Sequence, residues 1–194
     1  MSKEQNELEL NWDGPFSLVT ELDKICEYTG VYIWLAEIEN KQRVLYIGSA
    51  KNIRNRIVAE VEETLGGACW LKDWKDGNGE RWLPYNVVSM PVTASAKRVY
   101  RLMEFIRQKE LRDHALKRIE MTKLFCAETD KHKQVERYLI NIALKKHKAK
   151  HPGFIWLENE GVSFTEPIKN VSAIAHKYAS GDVWDGQIQD FFRT

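Results

Sequence analysis

Apolar residues follow two different periodicities along the chain, which predict both helices and strands. Between residues 16 and 28 they recur every three or four positions, which predicts an N-terminal helix. Residues 30–39 and 43–49 are instead rich in β-branched and aromatic side chains, joined by a short polar link at 40–42. This pattern predicts a β-hairpin.

Helical periodicity returns in three later segments. Apolar residues stand at every fourth position from Ile53 to Leu65, and two glycines follow, as at the end of an amphipathic helix. Residues 94–116 and 131–148 are also predicted helices, with a strand over 119–127 between them. Weaker patterns predict a loop over 70–79, strands over 82–92 and 154–157, and a helix around 171–178.

These elements predict an α+β fold with a small central antiparallel or mixed β-sheet flanked by helices. At 194 residues and 43% hydrophobic content, a single domain with one sizeable core is expected. Within it we expect an N-terminal helical extension at 1–29, a core at 30–151 with an insertion around 62–118, and a C-terminal extension at 152–194.

The near-neutral total charge conceals a strongly polarised chain. There are 29 basic and 28 acidic residues, a net charge of +1, which excludes a uniformly basic nucleic-acid binder. Residues 97–151, however, hold 16 basic and 7 acidic residues, or +9, and four of the five histidines. Such a segment fits either a phosphate-rich partner or the solvated faces of helices.

Cysteine usage and the N-terminal sequence point to a cytoplasmic protein. Cys26, Cys69 and Cys126 are odd in number and have no C-x-x-C spacing, which predicts reduced thiols rather than disulfides or a zinc ribbon. The first ten residues lack the basic and apolar regions of a signal peptide. No apolar run reaches the length of a membrane span, so we expect no membrane association.

The predicted hairpin and the helix after it carry an ordered set of motifs. Gly30-Val31-Tyr32 is followed, fourteen residues after Tyr32, by Tyr46-Ile47-Gly48, and Arg56 lies ten residues after Tyr46. In this order the motifs resemble the GIY-YIG nuclease superfamily, which includes homing endonucleases, the incision subunit of bacterial nucleotide excision repair and some restriction enzymes. The resemblance covers roughly residues 30 to 56.

The resemblance implies a metal-binding glutamate on a later helix, followed by apolar residues three and four positions on. Glu136 meets this description, with Leu139 and Ile140 after it. Glu104 is the alternative, but Arg107 and Gln108 occupy the corresponding positions after it. Glu136 is therefore preferred, and Glu104 stays open as the competitor.

From the resemblance we expect a metal-dependent endonuclease that hydrolyses phosphodiester bonds in DNA. One divalent cation, in the first instance Mg²⁺, would be held by Glu136 with several waters. Tyr32 would be the leading general base, Tyr46 would orient water or phosphate, and Arg56 would contact the scissile phosphate. The residues after the second tyrosine expected to contact substrate are Gly48, Ser49 and Lys51.

One position departs from the superfamily pattern. Glu60 stands four residues after Arg56, where family members often have histidine or tyrosine. A glutamate there can pair with Arg56 across one helical turn. The alternative function is therefore a non-catalytic nucleic-acid-binding module with a degenerate GIY-YIG site.

Overall fold

The structure, a computed structural model, describes residues 7–38, 41–67, 72–73, 81–82, 94–148 and 173–178. Over these ranges the fold is α+β, as the sequence predicts. No described helix is both long enough and apolar enough to cross a lipid bilayer.

Five strands form a mixed central sheet in the order β3-β2-β6-β1-β7. Their bounds are Glu7–Ser17 (β1), Gly30–Ile38 (β2), Lys41–Ala50 (β3), Thr122–Glu128 (β6) and Ala173–Tyr178 (β7). The first four strands in this order pair antiparallel, whereas β7 runs parallel to β1. Two short strands, Lys72–Asp73 (β4) and Arg81–Trp82 (β5), form a separate antiparallel pair.

Four helices are described: Ile53–Leu65 (α1), Ala94–Arg107 (α2), Lys109–Met121 (α3) and His132–Lys148 (α4). Apolar residues of α4 pack on one face of the sheet, and those of α1 and α3 pack on the other. Strand β2 is covered on both faces, which explains its nearly unbroken run of apolar residues. Along β2, Val31, Ile33 and Leu35 lie on the α4 side, and Tyr32 and Trp34 lie on the α1 side.

The helix predicted over residues 16–28 is wrong. Residues 7–17 form β1, which lies between β6 and β7, and only a short 3-10 helix follows at Leu22–Lys24. A break in pairing register between Asp13 and Phe16 takes up Gly14, whose φ of 123° marks a bulge. The strand continues through glycine and proline that resemble a boundary in the sequence.

The C-terminal helix predicted around 171–178 is also wrong, because residues 173–178 form β7. This strand pairs with β1 from Glu7 to Trp12. Residues 7–17 and 173–178 thus both supply strands to the central sheet, and the described part of the predicted extension, residues 7–29, is not helical apart from the short 3-10 turn.

The single helix predicted over 94–116 is two helices, interrupted at Gln108. The guanidinium of Arg112 donates hydrogen bonds to the carbonyls of Phe105 and Ile106 at the end of α2. The interruption is therefore stabilised by a side chain that satisfies the last carbonyls of the preceding helix.

The other main elements are confirmed. The hairpin is β2 and β3, the helix after Asn52 is α1, the strand predicted over 119–127 is β6, and α4 matches the helix predicted at 131–148. Most of the loop over 70–79 and of the strand over 82–92, and all of the strand over 154–157, lie outside the described residues.

Candidate active site

Both motif tyrosines lie on the sheet face that α1 covers, next to a β-bulge in the hairpin. Trp34 pairs with Tyr46 and Leu35 with Val44, so Leu45 is an extra residue in β3. Beyond the bulge the pairing is regular, with Tyr32 opposite Gly48 and Trp34 opposite Tyr46, so strand alternation brings the ring of Tyr46 to the same face as that of Tyr32. The two ring centroids are 6.2 Å apart.

Gly48 is required by the position of Tyr32. The two residues face each other across β2 and β3, and the Tyr32 ring lies over the glycine. A Cβ atom on Gly48 would overlap the ring and the hydroxyl of Tyr32. The motif glycine, predicted to contact substrate, is buried beneath the first tyrosine.

The N-terminus of α1 is closed by its own chain. The Asn52 side chain accepts a hydrogen bond from the Asn55 amide at 2.9 Å, as an N-cap does. The amides of Ile53 and Arg54 donate to carbonyls of the preceding loop, those of Tyr28 and Cys26. Because these amides are satisfied, contacts from this helix to a phosphate fall to side chains such as Arg56 and the exposed Lys51.

Arg56, Glu60 and Tyr32 form a connected polar group beneath the site. The Arg56 guanidinium lies 2.9 Å from Oε1 of Glu60, which confirms the pairing expected across one helical turn. The Tyr32 hydroxyl donates to the same oxygen at 2.6 Å. Tyr32 is 1% exposed and Glu60 is 8% exposed, so this is a buried network and not a surface ion pair.

Burial and neighbouring charge both disfavour the ionised form of the two tyrosines. The pKa of Tyr32 lies well above its usual value, through burial first and then the Glu60 carboxylate. Burial, with Glu60 and Glu136 nearby, raises the pKa of Tyr46 to about 12. Arg56 opposes the rise, by hydrogen bonding at Tyr32 and by both its charge and hydrogen bonding at Tyr46.

The carboxylate of Glu60 is also shifted toward its neutral form. Burial raises its pKa, while the Tyr32 hydroxyl and Arg56 act in the opposite direction. Its second oxygen, Oε2, is buried and has no hydrogen-bond partner among the described residues. Glu60 therefore has one engaged oxygen and one unengaged oxygen.

Glu136 is brought to the hairpin by a long-range hydrogen bond. The Ser49 hydroxyl donates to Oε2 of Glu136 at 2.7 Å, linking β3 to α4. Among the described residues no other hydrogen bond or ion pair engages this carboxylate. Since Val135 and Leu139 are buried in the core, Glu136 is held at the flank of α4, partly exposed.

Glu104 does not join this group. It is buried near the end of α2, where it accepts hydrogen bonds from Arg107 and Gln108 of the same chain segment. These bonds account for both carboxylate oxygens. Of the two candidate glutamates, only Glu136 contacts the motif hairpin.

The carboxylate of Glu136 fits a hard cation that keeps most of its waters. Ser49 fixes one oxygen and leaves the other without a protein partner in the described chain. No group of three His, Cys, Asp or Glu side chains that could hold a metal occurs within the described ranges. Mg²⁺ is often bound by one or two carboxylates with waters, so a three-ligand cage is not required.

The predicted site residues therefore fall into two classes. Tyr32, Tyr46, Arg56 and Glu136 come together, while Gly48 and Ser49 hold two of them in place. Sequence reasoning assigned Ser49 to substrate, but its hydroxyl is committed to Glu136. It also missed the bond from Tyr32 to Glu60, for which the only signal was the spacing of Glu60 from Arg56.

Comparisons of the chain with protein-family models, with curated proteins and with solved structures found no match. The resemblance to the GIY-YIG superfamily rests on the sequence motifs between residues 30 and 56.

Proposed function

We propose that this protein is a metal-dependent endonuclease that hydrolyses phosphodiester bonds in DNA. One observation carries the proposal: Tyr46 on β3, Arg56 on α1 and Glu136 on α4 approach one another around the edge strand of the sheet. Phosphodiester hydrolysis needs a hydroxyl, a positive charge and a metal-binding carboxylate. Tyr46, the guanidinium of Arg56 and Glu136 supply these three groups.

Glu136 would hold a single Mg²⁺ together with waters. When bound, the cation would neutralise charge on the phosphate and make a bound water more acidic. Ser49 fixes the orientation of the carboxylate, because its hydroxyl occupies Oε2 and leaves Oε1 as the oxygen that would hold the cation.

Arg56 is suited to contact the scissile phosphate. Its side chain is 44% exposed although Glu60 holds one of its nitrogens. A guanidinium has five N–H donors, so the bond to Glu60 leaves others for phosphate oxygens. The salt bridge also restricts the side chain, which lowers the entropy lost when substrate binds.

Tyr46 is the tyrosine nearer the solvent. It is half-buried, beside Arg56 and Glu136, whereas Tyr32 lies beneath it and is almost fully buried. Tyr46 is therefore the residue that orients the attacking water or a phosphate oxygen by hydrogen bonding.

A plasmid nicking assay with Mg²⁺ tests the proposal. We expect the wild-type protein to convert supercoiled to nicked or linear DNA, and we expect Arg56→Ala and Glu136→Gln each to slow this by about 100-fold or more. Glu104→Gln is the matched control, a buried glutamate on a neighbouring helix that should keep wild-type activity. Unchanged activity in Arg56→Ala or Glu136→Gln would contradict the assignment as a metal-dependent endonuclease.

A second candidate function is a nucleic-acid-binding module without catalysis. The observation that favours it is the salt bridge from Arg56 to Glu60, which reduces the positive charge available to a phosphate. It predicts salt-dependent DNA binding and no cleavage with Mg²⁺ or any other divalent metal. The same nicking assay, paired with a binding measurement on one DNA fragment, separates the two candidates.

A further inference from the structure

A buried carboxylate lies directly behind the first motif tyrosine. Oε1 of Glu60 accepts a hydrogen bond from the Tyr32 hydroxyl at 2.6 Å and lies 2.9 Å from the Arg56 guanidinium. Its Oε2 is buried with no partner among the described residues. Burying a carboxylate with one unsatisfied oxygen destabilises the fold. A purely structural role therefore does not account for Glu60 at this position.

The hydrogen bond to Glu60 fixes what Tyr32 can do toward the rest of the site. A tyrosine hydroxyl has one proton to donate, and here that proton is directed at the carboxylate. Toward Arg56 and anything bound near it, the Tyr32 oxygen can only accept hydrogen bonds. A water molecule that reaches this oxygen would therefore donate to it.

We propose that Glu60 is the proton acceptor that acts through Tyr32 in the hydrolysis of the phosphodiester. As a water oxygen bonds to phosphorus, one water proton moves to the Tyr32 oxygen while the Tyr32 proton moves to Oε1 of Glu60. The water O–H and the old tyrosine O–H bonds break, and a new tyrosine O–H and a carboxylic acid O–H form. As the new P–O bond forms, the P–O bond to the leaving sugar oxygen breaks, and that oxygen takes a proton from solvent. This inference rests on the proposed function.

This route explains how Tyr32 serves at neutral pH without becoming a tyrosinate. Burial and the Glu60 charge hold its pKa far above neutrality, so a free phenolate is not populated. In the relay Tyr32 gains one proton and loses another in one step, so its oxygen never carries the negative charge. Before the step that charge is on the Glu60 carboxylate. Glu60 is then a positioning residue, since it touches Tyr32 and not the substrate.

Four groups face Glu60 and set its charge. Tyr32 on β2 and Arg56 on α1 contact it, while Tyr46 on β3 and Glu63 on α1 interact with it through their charge or dipole. Burial raises the pKa of the Glu60 carboxylate, while Arg56 and the Tyr32 hydroxyl favour its ionised form, the form that can accept a proton. The release of that proton after each turnover is an ordinary acid dissociation to solvent.

The decisive experiment is single-turnover cleavage as a function of pH, for the wild type and Glu60→Gln, at saturating Mg²⁺ and protein. The glutamine keeps the acceptor oxygen for Tyr32 but cannot take up the proton. We expect a rate loss of about 100-fold or more, with the acid limb of the pH profile moved to lower pH and DNA affinity retained. A wild-type rate and pH profile in Glu60→Gln would overturn the inference.

Tyr32→Phe provides an independent variant if Glu60→Gln does not fold. It removes the proton path while leaving the Glu60–Arg56 salt bridge, so it should show the same rate loss and the same change in the acid limb. In the double variant the losses should not add, because both residues serve one step. Additive losses, or a Tyr32→Phe profile with the wild-type acid limb, would contradict the relay.

The outcomes also distinguish this inference from the proposed function. If the wild-type protein cleaves no DNA with any divalent metal, the proposed function fails. If the wild type cleaves and Glu136→Gln does not, while Glu60→Gln cleaves normally, the nuclease assignment stands and only the role of Glu60 is excluded.

Discussion

The two motif tyrosines lie 6.2 Å apart but in different surroundings. Tyr32, together with Glu60, forms an inner half of the site that is almost completely buried. Tyr46, with Ser49 and Glu136, forms an outer half that is partly exposed. Arg56 lies between the halves, bonded to Glu60 and exposed over 44% of its side chain.

The inner half holds a fixed geometry, and the outer half leaves groups available for ligands. The inner half is held by packing and short hydrogen bonds, so its geometry is set before any substrate arrives. The outer half has one carboxylate oxygen and one half-buried hydroxyl still available, which the proposed cation and phosphate would need. Substitutions in the inner half should therefore affect folding and rate together, and those in the outer half should affect binding.

Gly48→Ala should have the largest effect on stability and activity, because it displaces the Tyr32 ring from its place in the inner half. Its Cβ would overlap the Tyr32 ring, and overpacking of this kind costs about 1–3 kcal/mol of folding free energy. We expect a lower thermal midpoint and loss of nicking activity, since Tyr32 cannot keep its bond to Glu60. Differential scanning calorimetry and the nicking assay measure the two effects.

A double-mutant cycle shows whether the Tyr32 ring is the obstacle. In a Tyr32→Ala background the space above residue 48 is open, so adding Gly48→Ala should cost little further stability. Equal destabilisation in both backgrounds would show that Gly48 is needed for a different reason and would weaken the description of the inner half.

Ser49→Ala tests the outer half and should have an intermediate effect. Removing the hydroxyl leaves Glu136 without the bond that orients it, and loss of such a partner lowers metal affinity about 10-fold to 100-fold. We expect the Mg²⁺ concentration for half-maximal cleavage to rise by that factor, with the rate at saturating Mg²⁺ largely restored. Ser49→Thr keeps the hydroxyl and should behave as the wild type.

An unchanged Mg²⁺ requirement in Ser49→Ala would contradict the orientation of Glu136 by β3. A lower rate at saturating Mg²⁺, with an unchanged Mg²⁺ requirement, would show that Ser49 contacts the substrate and does not orient the metal ligand. The titration therefore decides between this role and the substrate contact expected from sequence.

Local sequence patterns were sufficient for much of the fold but not for the contacts within the site. The run of β-branched and aromatic residues in β2 and the fourfold spacing in α1 indicate both elements directly, and the spacing of Arg56 and Glu60 predicts their ion pair. The Tyr32–Glu60 bond joins residues 28 apart, and the Ser49–Glu136 bond joins residues 87 apart. Such contacts follow from how elements pack, which periodicity does not specify.

The errors at the ends of the chain have a similar origin. Gly14 and Pro15 are residue types that commonly interrupt strands, yet β1 passes through them with a bulge and pairs with β6 on both sides of it. Tertiary pairing outweighed local propensity there. The extra residue Leu45 in β3 is a comparable case, since only the register with β2 reveals it.

Lys51→Ala should have the smallest effect and tests how far the outer half extends. Lys51 is exposed next to the N-cap of α1, where the backbone amides are already bonded, so its contribution to DNA binding is a single side-chain charge. One lost phosphate contact should weaken binding a few-fold and reduce the slope of log affinity against log salt by about 1. Lys109→Ala, an exposed lysine paired with Asp113 on α3, is the matched control and should leave the slope unchanged. Equal slopes for the two variants would place the DNA backbone away from the start of α1 and confine substrate contacts to Arg56 and α4.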